Sequence, residues 1–435
     1  MFKTYLFILD LLVYFLIITA VVILRTWDID IPYIESHIVT MLPLFLPFTL
    51  ILFLFSFYDV KIIVKNRPSY RSICVALFLN LFLCVAALYF FSYSIFRLMP
   101  KIILVSVLFL YHIYIFYSRR IIWDIRFTKK NILIFGQSAT IELIKSGITK
   151  SKGYKIKEEY LRVPENGKIN ARNIDFILIS STLFKDDSAA WDIISSQFIH
   201  KGMLIKTDFN FFEELFQRTP VEGLNNPAWL LRGISSRRGS SSFEVTLKRF
   251  TDIVFALTLM SFCFPVSILI YFLIKFFDRM PPLFSQERAG LLDKRFNIYK
   301  FRTMRPGTEK ITLLGGILRR FRLDEMPQLI NIFKGDLSLV GPRPIWTKEY
   351  ILINKNINNH AIRSIAKPGL TGWAQLNFKA PPNYGVIEDG HEDFAAAYQR
   401  LSYDVWYIKN QSFFLDIEIM LKTAKRMFIK DKYVS

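Results

Sequence analysis

The sequence predicts an integral membrane protein of three parts: a bundle of four α-helices, a small Rossmann-like α/β domain, and an α-rich domain that enters the membrane through a re-entrant helix. Three observations lead to this prediction. Hydrophobic residues make up 52% of the 435 residues, a high share for a soluble protein. Four long apolar runs come first, with Asp10 as their one charged residue, and a fifth precedes a basic C-terminal part. Strand-like and helix-like apolar patterns alternate between them.

The four-helix bundle is assigned to residues 1–120. Its first run, Thr4–Leu24, is apolar except for Asp10. This run is too long, and too poorly followed by small residues, to be a cleaved signal peptide. The other three runs are long enough to span a bilayer. They are Ile38–Tyr58, Ser72–Phe96 and Ile102–Ser118.

Charges beside these runs predict their orientation. Basic residues follow the second and fourth runs: Lys61, Lys65, Arg67, Arg71, Arg119, Arg120, Arg126, Lys129 and Lys130. The loop after the first run carries acidic residues instead: Asp28, Asp30 and Glu35. By the positive-inside rule, both ends of the bundle face the cytoplasm. Asp10 either marks an ion or proton path or lies near the interface; without an evident partner in the other runs, we favour the interface.

A small α/β domain is predicted for residues 128–232. A strand from Asn131, a turn at Gly136, a helix, and a second strand over Asp175–Leu183 form an alternating pattern. One glycine falls short of a dinucleotide-binding fingerprint, so we favour a noncatalytic or regulatory domain over a nucleotide-binding one. A short helix over Phe209–Pro220 closes it. Residues 233–247, rich in Gly and Ser, are interpreted as a flexible linker.

The fifth run, Ile253–Ile274, contains no charge but has Pro265 near its middle. A proline can kink a helix, although it is tolerated within a spanning one. A crossing helix would leave the basic C-terminal part outside the cytoplasm. A bent, re-entrant helix over residues 252–276 would keep it inside, and the flanking charges favour this alternative.

The stretch Arg319–Pro344 carries the most distinctive chemistry. Its acidic pair, Asp324 and Glu325, is surrounded by arginines and followed by a Gly-Pro-Arg-Pro turn, a combination suited to phosphoryl chemistry. Pro327 predicts a helix over Met326–Phe333 with the pair at its N-terminus. The alternative makes Asp324 an ordinary helix cap. Cations able to contact phosphate oxygens are Arg288, Lys300, Arg302 and Arg343.

Four motifs follow one another in this part: Lys300–Met304 (KFRTM), Leu323–Leu329 (LDEMPQL), Ser338–Pro344 (SLVGPRP) and Pro368–Gln375 (PGLTGWAQ). Asp404, Tyr407, Asn410, Ser412 and Asp416 continue the pattern. With these motifs, the segment from about Lys248 to Phe428 resembles the bacterial sugar transferase family. Its members are polyprenyl-phosphate hexose-1-phosphate transferases that begin exopolysaccharide, capsule or O-antigen assembly. A bundle followed by an α/β insert is typical of the larger members.

The resemblance implies a mechanism and a location. Asp324 would attack the sugar-bearing phosphorus of a UDP-sugar, release UMP and form an aspartyl phosphosugar, which polyprenyl phosphate then attacks. Glu325 would bind Mg²⁺ or act as an acid/base partner, while Lys300, Arg302, Arg343 and Arg288 contact phosphates. The family's proline-bent re-entrant helix matches Pro265, although Phe264 stands where many members have Ser. A phosphoglycosyl transferase domain over residues 248–435 would lie on the cytoplasmic face of a bacterial inner membrane, among membrane lipids. No nucleic acid partner is expected, and the sugar and oligomeric state stay open.

Several residues carry alternatives. A membrane-anchored nucleotide-sugar epimerase or dehydratase would need a Tyr-x-x-x-Lys pair, whose spacing occurs only at Tyr271 and Lys275, within the apolar run. A polyanion-binding scaffold would leave the acidic pair unused. His360 and His391 are interpreted as surface residues. The amphipathic pattern over Phe413–Phe428 fits either a helix on the anionic bilayer surface or packing against the core. The cysteines Cys74, Cys84 and Cys263 have neither disulfide nor zinc spacing.

Overall fold

The structure is a computed structural model of the chain. It describes residues 2–26, 31–55, 57–58, 70–90, 101–126, 130–149, 153–162, 169, 173–183, 192–199, 202–238, 242–308, 310–379 and 394–428. The charges Asp28, Asp30, Lys61, Lys65, Arg67 and Lys129, together with His391, lie outside these residues.

The N-terminal part is helical. Among the described residues its helices are α1 (Phe2–Thr26), α2 (Ile31–Met41), α3 (Phe45–Leu54), α4 (Tyr70–Phe90) and α5 (Lys101–Arg126). A 3₁₀ turn over Leu42–Leu44 joins α2 to α3. Pro43 stands at the start of that turn, where its missing N–H costs no hydrogen bond.

Three helical segments of this part are long and apolar enough to cross a membrane: Tyr5–Arg25, Ile31–Phe53 and Ile102–Ile122. The first and third match predicted runs. The second begins at Ile31 rather than Ile38, because the segment that we interpreted as a loop is already helical. In α4 the apolar stretch is shorter, Ser72–Val85, and the rest of that predicted run lies partly outside the described residues.

A buried ion pair joins α1 to α5 and gives Asp10 a partner, Arg119, that directly follows the fourth predicted run. Arg119 Nη2 lies 2.5 Å from Asp10 Oδ2, and both side chains are fully buried. Tyr114 and Tyr58 donate hydroxyl hydrogen bonds to the same carboxylate. Arg119 Nε also donates to the Phe57 carbonyl at 3.1 Å. The sequence could not reveal this pair because 109 positions separate its members.

A four-stranded sheet follows, in the order β2-β1-β3-β4. Its strands are β1 (Lys130–Phe135), β2 (Tyr154–Tyr160), β3 (Phe176–Ile179) and β4 (Leu204–Thr207), and α6 (Ala139–Thr149) follows β1. The strands β1 and β2 pair in parallel. Buried apolar side chains line β1 and β3, as expected for central strands of a parallel sheet. The small parallel sheet is therefore confirmed.

Three helices and a long apolar helix come next: α7 (Asp208–Phe216), α8 (Val221–Leu224), α9 (Pro227–Arg238) and α10 (Ser242–Leu273). A short π-helix over Ile274–Asp278 extends α10. The stretch that we interpreted as a flexible linker is largely helical, since α9 ends at Arg238 and α10 begins at Ser242.

The remaining elements are short strands and helices. They are β5 (Leu283–Ala289), β6 (Arg295–Phe301), α11 (Leu313–Arg320), α12 (Gln328–Lys334), β7 (Ser338–Val340), α13 (Thr347–Asn356), β8 (Gly369–Thr371), α14 (Trp373–Asn377), α15 (Phe394–Asn410) and α16 (Phe413–Phe428). The strands form an antiparallel pair, β5 with β6, and a parallel pair, β7 with β8.

Contacts divide the chain into two compact units. One comprises Met1–Phe135, Lys145–Ile177 and Asp192–Ile205. The other comprises Gly136–Ile144, Leu178–Trp191 and Lys206–Ser435. All the residues of the candidate site belong to the second unit.

Candidate active site

The acidic pair lies in a 3₁₀ turn over Leu323–Glu325, directly before α12. The helix begins at Gln328 with Pro327 as its N-cap, so the predicted start at Met326 was two residues too early. Arg322 enters the turn with a left-handed φ of 55°, a conformation that non-glycine residues adopt rarely. Asp324 and Glu325 therefore project from a tight turn rather than from the first turn of the helix.

Lys300 contacts this pair from the last residues of β6. Its Nζ lies 3.4 Å from Glu325 Oε1, and both side chains are mostly buried. Arg322 Nη1 reaches Glu325 Oε2 at 3.8 Å from the solvent side. Burial lowers the pKa of Lys300, and Glu325 opposes that effect. In the described part of the chain, these two cations form their ion pairs with Glu325. The backbone of the turn sets the orientation of Asp324.

Asp324 is half-buried beside two cations. Burial raises the pKa of its carboxyl above the usual range, and Glu325 adds to the rise. Lys300 and Arg319 oppose it by favouring the ionised form. Arg319 is itself fixed, since its Nε donates to Thr303 Oγ1 at 2.8 Å. Two adjacent carboxylates, one fixed by cations and one less engaged, can divide the work of ligand binding and nucleophilic attack.

Two of the other predicted cations lie close to this pair or to each other. Burial lowers the pKa of the Arg343 guanidinium while Glu325 raises it, which places Arg343 within electrostatic reach of the pair. Burial and the nearby Arg343 lower the pKa of Arg288 to about 10. Arg288 bonds Gln286 Oε1 at 2.6 Å, and its Nε is buried without a hydrogen-bond partner among the described residues. Crowded guanidiniums of this kind suit an anionic ligand.

Arg302 lies differently. Its Nε donates to the Pro281 carbonyl at 3.0 Å, and its Nη2 faces the Leu283 carbonyl at 3.4 Å. The guanidinium also stacks over the Phe284 ring. These contacts hold the loop after α10 against the end of β6 rather than the acidic pair.

Sequence reasoning missed Arg400 and Arg363. Both donate to the Arg343 carbonyl, at 3.3 Å and 2.8 Å, and Arg363 also forms a buried ion pair with Asp404 at 2.8 Å. They therefore fix the backbone of the Gly-Pro-Arg-Pro turn. The Asp404 position within the recognised pattern was the only signal that pointed toward this pair.

Three glycines allow the backbones of two separate motifs, Ser338–Pro344 and Pro368–Gln375, to lie in contact. A Cβ on Gly341 would lie 2.2 Å from the Lys367 carbonyl oxygen, and one on Gly372 would lie 2.1 Å from that of Gly341. A Cβ on Gly369 would lie 2.0 Å from the Gly341 nitrogen. Only glycine allows these backbones to approach so closely. The turn that carries Arg343 is thereby fixed to the strand β8.

The start of α10 is attached to the same strands. Lys248 Nζ donates to the Val340 carbonyl at 3.0 Å and pairs with Asp416 Oδ2 at 2.5 Å. Tyr407 donates to Asp416 Oδ1 at 2.7 Å. Asp252 accepts from the Leu339 N–H at 3.0 Å. Residues of α10, β7, α15 and α16 therefore meet at the start of the apolar helix.

Pro265 lies inside α10, and the helix continues through it. The segment Glu244–Asp278 is long and apolar enough to cross a membrane, and few of its side chains are buried. Beyond Pro265, Ser267 donates to Met326 Sδ at 3.6 Å. Ile270 and Ile274 pack with Phe301 and Leu318. Residues on both sides of Pro265 thus contact the unit that holds the acidic pair.

The structure also decides two other sequence interpretations. His360 is buried, contrary to our prediction of a surface residue; burial lowers its pKa to about 2, and its Nδ1 lies 2.5 Å from Asn354 Oδ1. Helix α16 packs on the core, since Ile419 is fully buried and Thr423 bonds Thr371 at 2.6 Å. The described residues contain no group of three or more His, Cys, Asp or Glu side chains able to hold a metal.

The region that holds this site is similar to known proteins. Residues 243–430 match the family described as bacterial sugar transferase. The uncharacterized sugar transferase EpsL of Bacillus subtilis (strain 168) is 33% identical over 42% of this chain and 89% of its own length. A UDP-glucose:undecaprenyl-phosphate glucose-1-phosphate transferase of Caulobacter vibrioides is 35% identical over 42% of this chain and 70% of its own length.

A third relative, from Escherichia coli (strain K12), is also named UDP-glucose:undecaprenyl-phosphate glucose-1-phosphate transferase. It is 32% identical over 42% of this chain but only 40% of its own length. In all three relatives about two fifths of this chain is aligned. The family match spans α10 and every predicted site residue, from Pro265 to Arg343. The chain therefore belongs to the bacterial sugar transferase family.

Proposed function

We propose that the protein transfers a sugar-1-phosphate from a UDP-sugar to polyprenyl phosphate, with undecaprenyl phosphate as the natural acceptor, and so initiates exopolysaccharide, capsule or O-antigen synthesis. The observation that carries the proposal is the position of Asp324, half-buried between Lys300 and Arg319 and next to a second, cation-bound carboxylate. The Caulobacter and Escherichia relatives are both named as UDP-glucose:undecaprenyl-phosphate glucose-1-phosphate transferases, which supports the reaction type.

In the first half-reaction, an Asp324 carboxylate oxygen attacks the sugar-bearing phosphorus. The bond from that phosphorus to the bridging oxygen breaks, and UMP leaves with the bond's electron pair. In the second, a polyprenyl phosphate oxygen attacks the aspartyl phosphosugar, and the phosphorus–aspartate bond breaks. The carboxylate is regenerated, and the lipid becomes a diphosphate sugar. Lys300, Arg343 and Arg288 hold phosphate oxygens in both steps.

Mg²⁺ fits the residues present. The cation prefers one or two carboxylates together with substrate phosphates, rather than a cage made wholly of protein ligands. Glu325, fixed by Lys300 at 3.4 Å, offers one such carboxylate. When bound there, Mg²⁺ would neutralise charge that develops on the leaving phosphate.

The same site must meet a soluble nucleotide-sugar and a lipid phosphate. We place it at the cytoplasmic face of a bacterial inner membrane, held there by α10 as a re-entrant helix bent at Pro265. Contacts on both sides of the proline support the bend. Arg249 bonds the carbonyls of Ile332 and Phe333, and Ser267 contacts Met326, at opposite ends of α12. In a straight helix Arg249 and Ser267 would be about 27 Å apart.

The reaction is tested with membranes that contain the protein, radiolabelled UDP-glucose, UDP-galactose or N-acetylated UDP-sugars, Mg²⁺ and undecaprenyl phosphate. We expect UMP as the nucleotide product and loss of turnover in Asp324→Asn. Release of UDP would indicate an ordinary glycosyltransferase. Full activity of Asp324→Asn would exclude the aspartyl nucleophile. Asp336→Asn, on the other side of α12, provides the control.

The location is tested by cysteine labelling. Cys74, Cys84 and Cys263 are replaced by serine, and Arg279, just beyond the π-helix, is changed to cysteine. A membrane-impermeant reagent added outside intact cells should leave this cysteine unlabelled, and lysis should expose it. Labelling in intact cells would mean that α10 crosses the bilayer.

A further inference from the structure

Asn331 connects the helix that follows the acidic pair to the strand that carries Lys300. It lies in the middle of α12 and is fully buried. Its Oδ1 accepts a hydrogen bond from the Tyr299 N–H at 3.1 Å. Its Nδ2 donates to the Asn297 carbonyl at 2.7 Å. Both hydrogen-bonding groups of the carboxamide are therefore used on β6.

The two bonds have the pattern of a β-bridge. In the antiparallel ribbon, Tyr299 is opposite Ser285, and Asn297 is opposite Glu287. Along such a strand, every second residue directs its N–H and C=O away from the partner strand. Asn331 meets the N–H of one such residue and the C=O of the residue two positions earlier, as a residue of a neighbouring parallel strand would with its own backbone C=O and N–H. Its side chain thus replaces a third strand at the free edge of the ribbon.

The two hydrogen bonds of Asn331 join the segment that holds the acidic pair to the strand that holds Lys300. Lys300 directly follows Tyr299, and the pair directly precedes α12. Lys300 Nζ, on the strand, lies 3.4 Å from Glu325 Oε1, in the turn before the helix. The far end of α12 is held separately, because Arg249 donates to the Ile332 and Phe333 carbonyls at 2.7 Å and 2.8 Å. Asn331 is bonded to the backbone of the strand, whereas Lys334, at the exposed end of α12, reaches only the Tyr299 side chain, with its Nζ 3.4 Å from the hydroxyl oxygen.

We propose that Asn331 is a positioning residue of the transfer reaction: its carboxamide fixes the distance between the Lys300 ammonium and the acidic pair. The inference rests on the proposed function for its catalytic consequence, but its structural half can be tested without any turnover. Asn331 touches neither Lys300 nor Asp324 and acts through the backbone of β6. A misplacement of about 1 Å at a reacting centre can cost on the order of a hundredfold in rate.

The test uses the full-length protein in nanodiscs and three variants. Asn331→Ala removes both hydrogen bonds. Asn331→Asp keeps the side-chain volume and the bond from Tyr299 but turns a second oxygen toward the Asn297 carbonyl. Tyr350→Phe is the matched control, because it removes a side-chain hydrogen bond to Asp293, in the turn at the other end of the same ribbon.

The first readout is the rate at which an amine-reactive reagent acylates Lys300, measured by mass spectrometry of the folded protein. We expect at least a threefold increase in both Asn331 variants and no change in Tyr350→Phe. The second readout is kcat against KM for the UDP-sugar, with kcat divided by the folded fraction. As Lys300 moves away from the acidic pair, kcat at neutral pH should fall at least tenfold in both Asn331 variants, with a smaller change in KM, while Tyr350→Phe keeps both values.

The outcomes separate the two proposals. Unchanged Lys300 acylation in both Asn331 variants would overturn the positioning role, as would an equal increase in Tyr350→Phe. A fall in kcat that disappears after division by the folded fraction would also overturn it, since that result reports only a smaller amount of folded protein. If the unmodified protein transfers no sugar phosphate at all, the proposed function fails while the acylation result still decides the role of Asn331.

Discussion

Lys300 Nζ lies 3.4 Å from Glu325 Oε1 and also acts electrostatically on Asp324, whose ionised form it favours. One ammonium therefore serves both carboxylates of the pair. Burial raises the pKa of Asp324, and Lys300 limits that rise. Because the ionised carboxylate is the proposed attacking group, activity should fall as the pH drops through this raised pKa.

From this relationship we predict the effect of Lys300→Gln. Loss of the ammonium raises the pKa of Asp324 further, so the acid limb of the kcat profile should move to higher pH. At neutral pH we expect kcat to fall at least tenfold, as for the loss of one charged stabiliser. Lys294→Gln, in the exposed turn of the same ribbon, should leave the profile unchanged. An unshifted acid limb in Lys300→Gln would mean that the ammonium does not face Asp324.

Asp324, the proposed nucleophile, should lower the stability of the fold at neutral pH. A carboxyl whose pKa is raised on folding stabilises the native state only at low pH, where it is protonated, and that stability is lost as the pH rises through the folded pKa. Asp324 is such a group. Asn cannot ionise, so Asp324→Asn should raise the Tm at neutral pH and bring it closer to wild type at acidic pH. Differential scanning fluorimetry in detergent measures both; a lower Tm for the variant at neutral pH would contradict the prediction.

Two adjacent glycines in α11 should respond in opposite ways to alanine. A Cβ on Gly315 would lie 2.2 Å from the Thr303 carbonyl oxygen, whereas one on Gly316 meets nothing within 4 Å. Gly315→Ala should therefore displace the strand end that holds Arg319, lowering both Tm and kcat. Gly316→Ala should stabilise the helix by about 0.5–1 kcal/mol and leave kcat unchanged. Thermal unfolding and transfer assays on the two variants test this, and equal effects would refute the close approach.

The ion pair between Asp10 and Arg119 should show strong coupling. Removing one partner leaves a buried charge unpaired, at a cost of about 3–5 kcal/mol. Asp10→Asn and Arg119→Gln should each lower the thermal stability of the purified protein markedly. The double variant should be more stable than the sum of the single effects predicts, because no charge is then left alone. Additive losses in this double-mutant cycle would mean that the two side chains act independently.

Local patterns predicted the elements well where hydrophobic periodicity decides them. The apolar runs near Tyr5, Ile102 and Pro265 became long helices, and the strands at Asn131 and Asp175 joined a parallel sheet. The predicted start of the second run, Ile38, lies C-terminal to the observed start, because Glu35 indicates a loop and the polar His37 directly precedes the run. Tertiary packing overrides such polar residues, since His37 is buried in the bundle.

Within the site, motifs identified side chains but not their partners. Lys300, Glu325 and Arg343 come together as the motifs suggested, whereas the contacts of Arg302 hold backbone carbonyls instead. Asn331 gave no signal, because its role depends on which edge of β6 lies free. The close approach of Gly341 to Lys367 was equally invisible, since a sequence records that a residue is glycine but not what lies beside it.

The pairing of Asp10 with Arg119 has a consequence for synthesis in the cell. The two residues are 109 positions apart in the sequence. At translation rates of about 5–20 residues per second, on the order of 5–20 s pass between the synthesis of Asp10 and that of Arg119. During that interval the carboxylate has to stay near water or in a protein-lined environment, because an unpaired charge in lipid is costly. The first helix, α1, should therefore reach its final position in the bundle only after α5 has been synthesised. Packing of α5 then completes the assembly of the bundle.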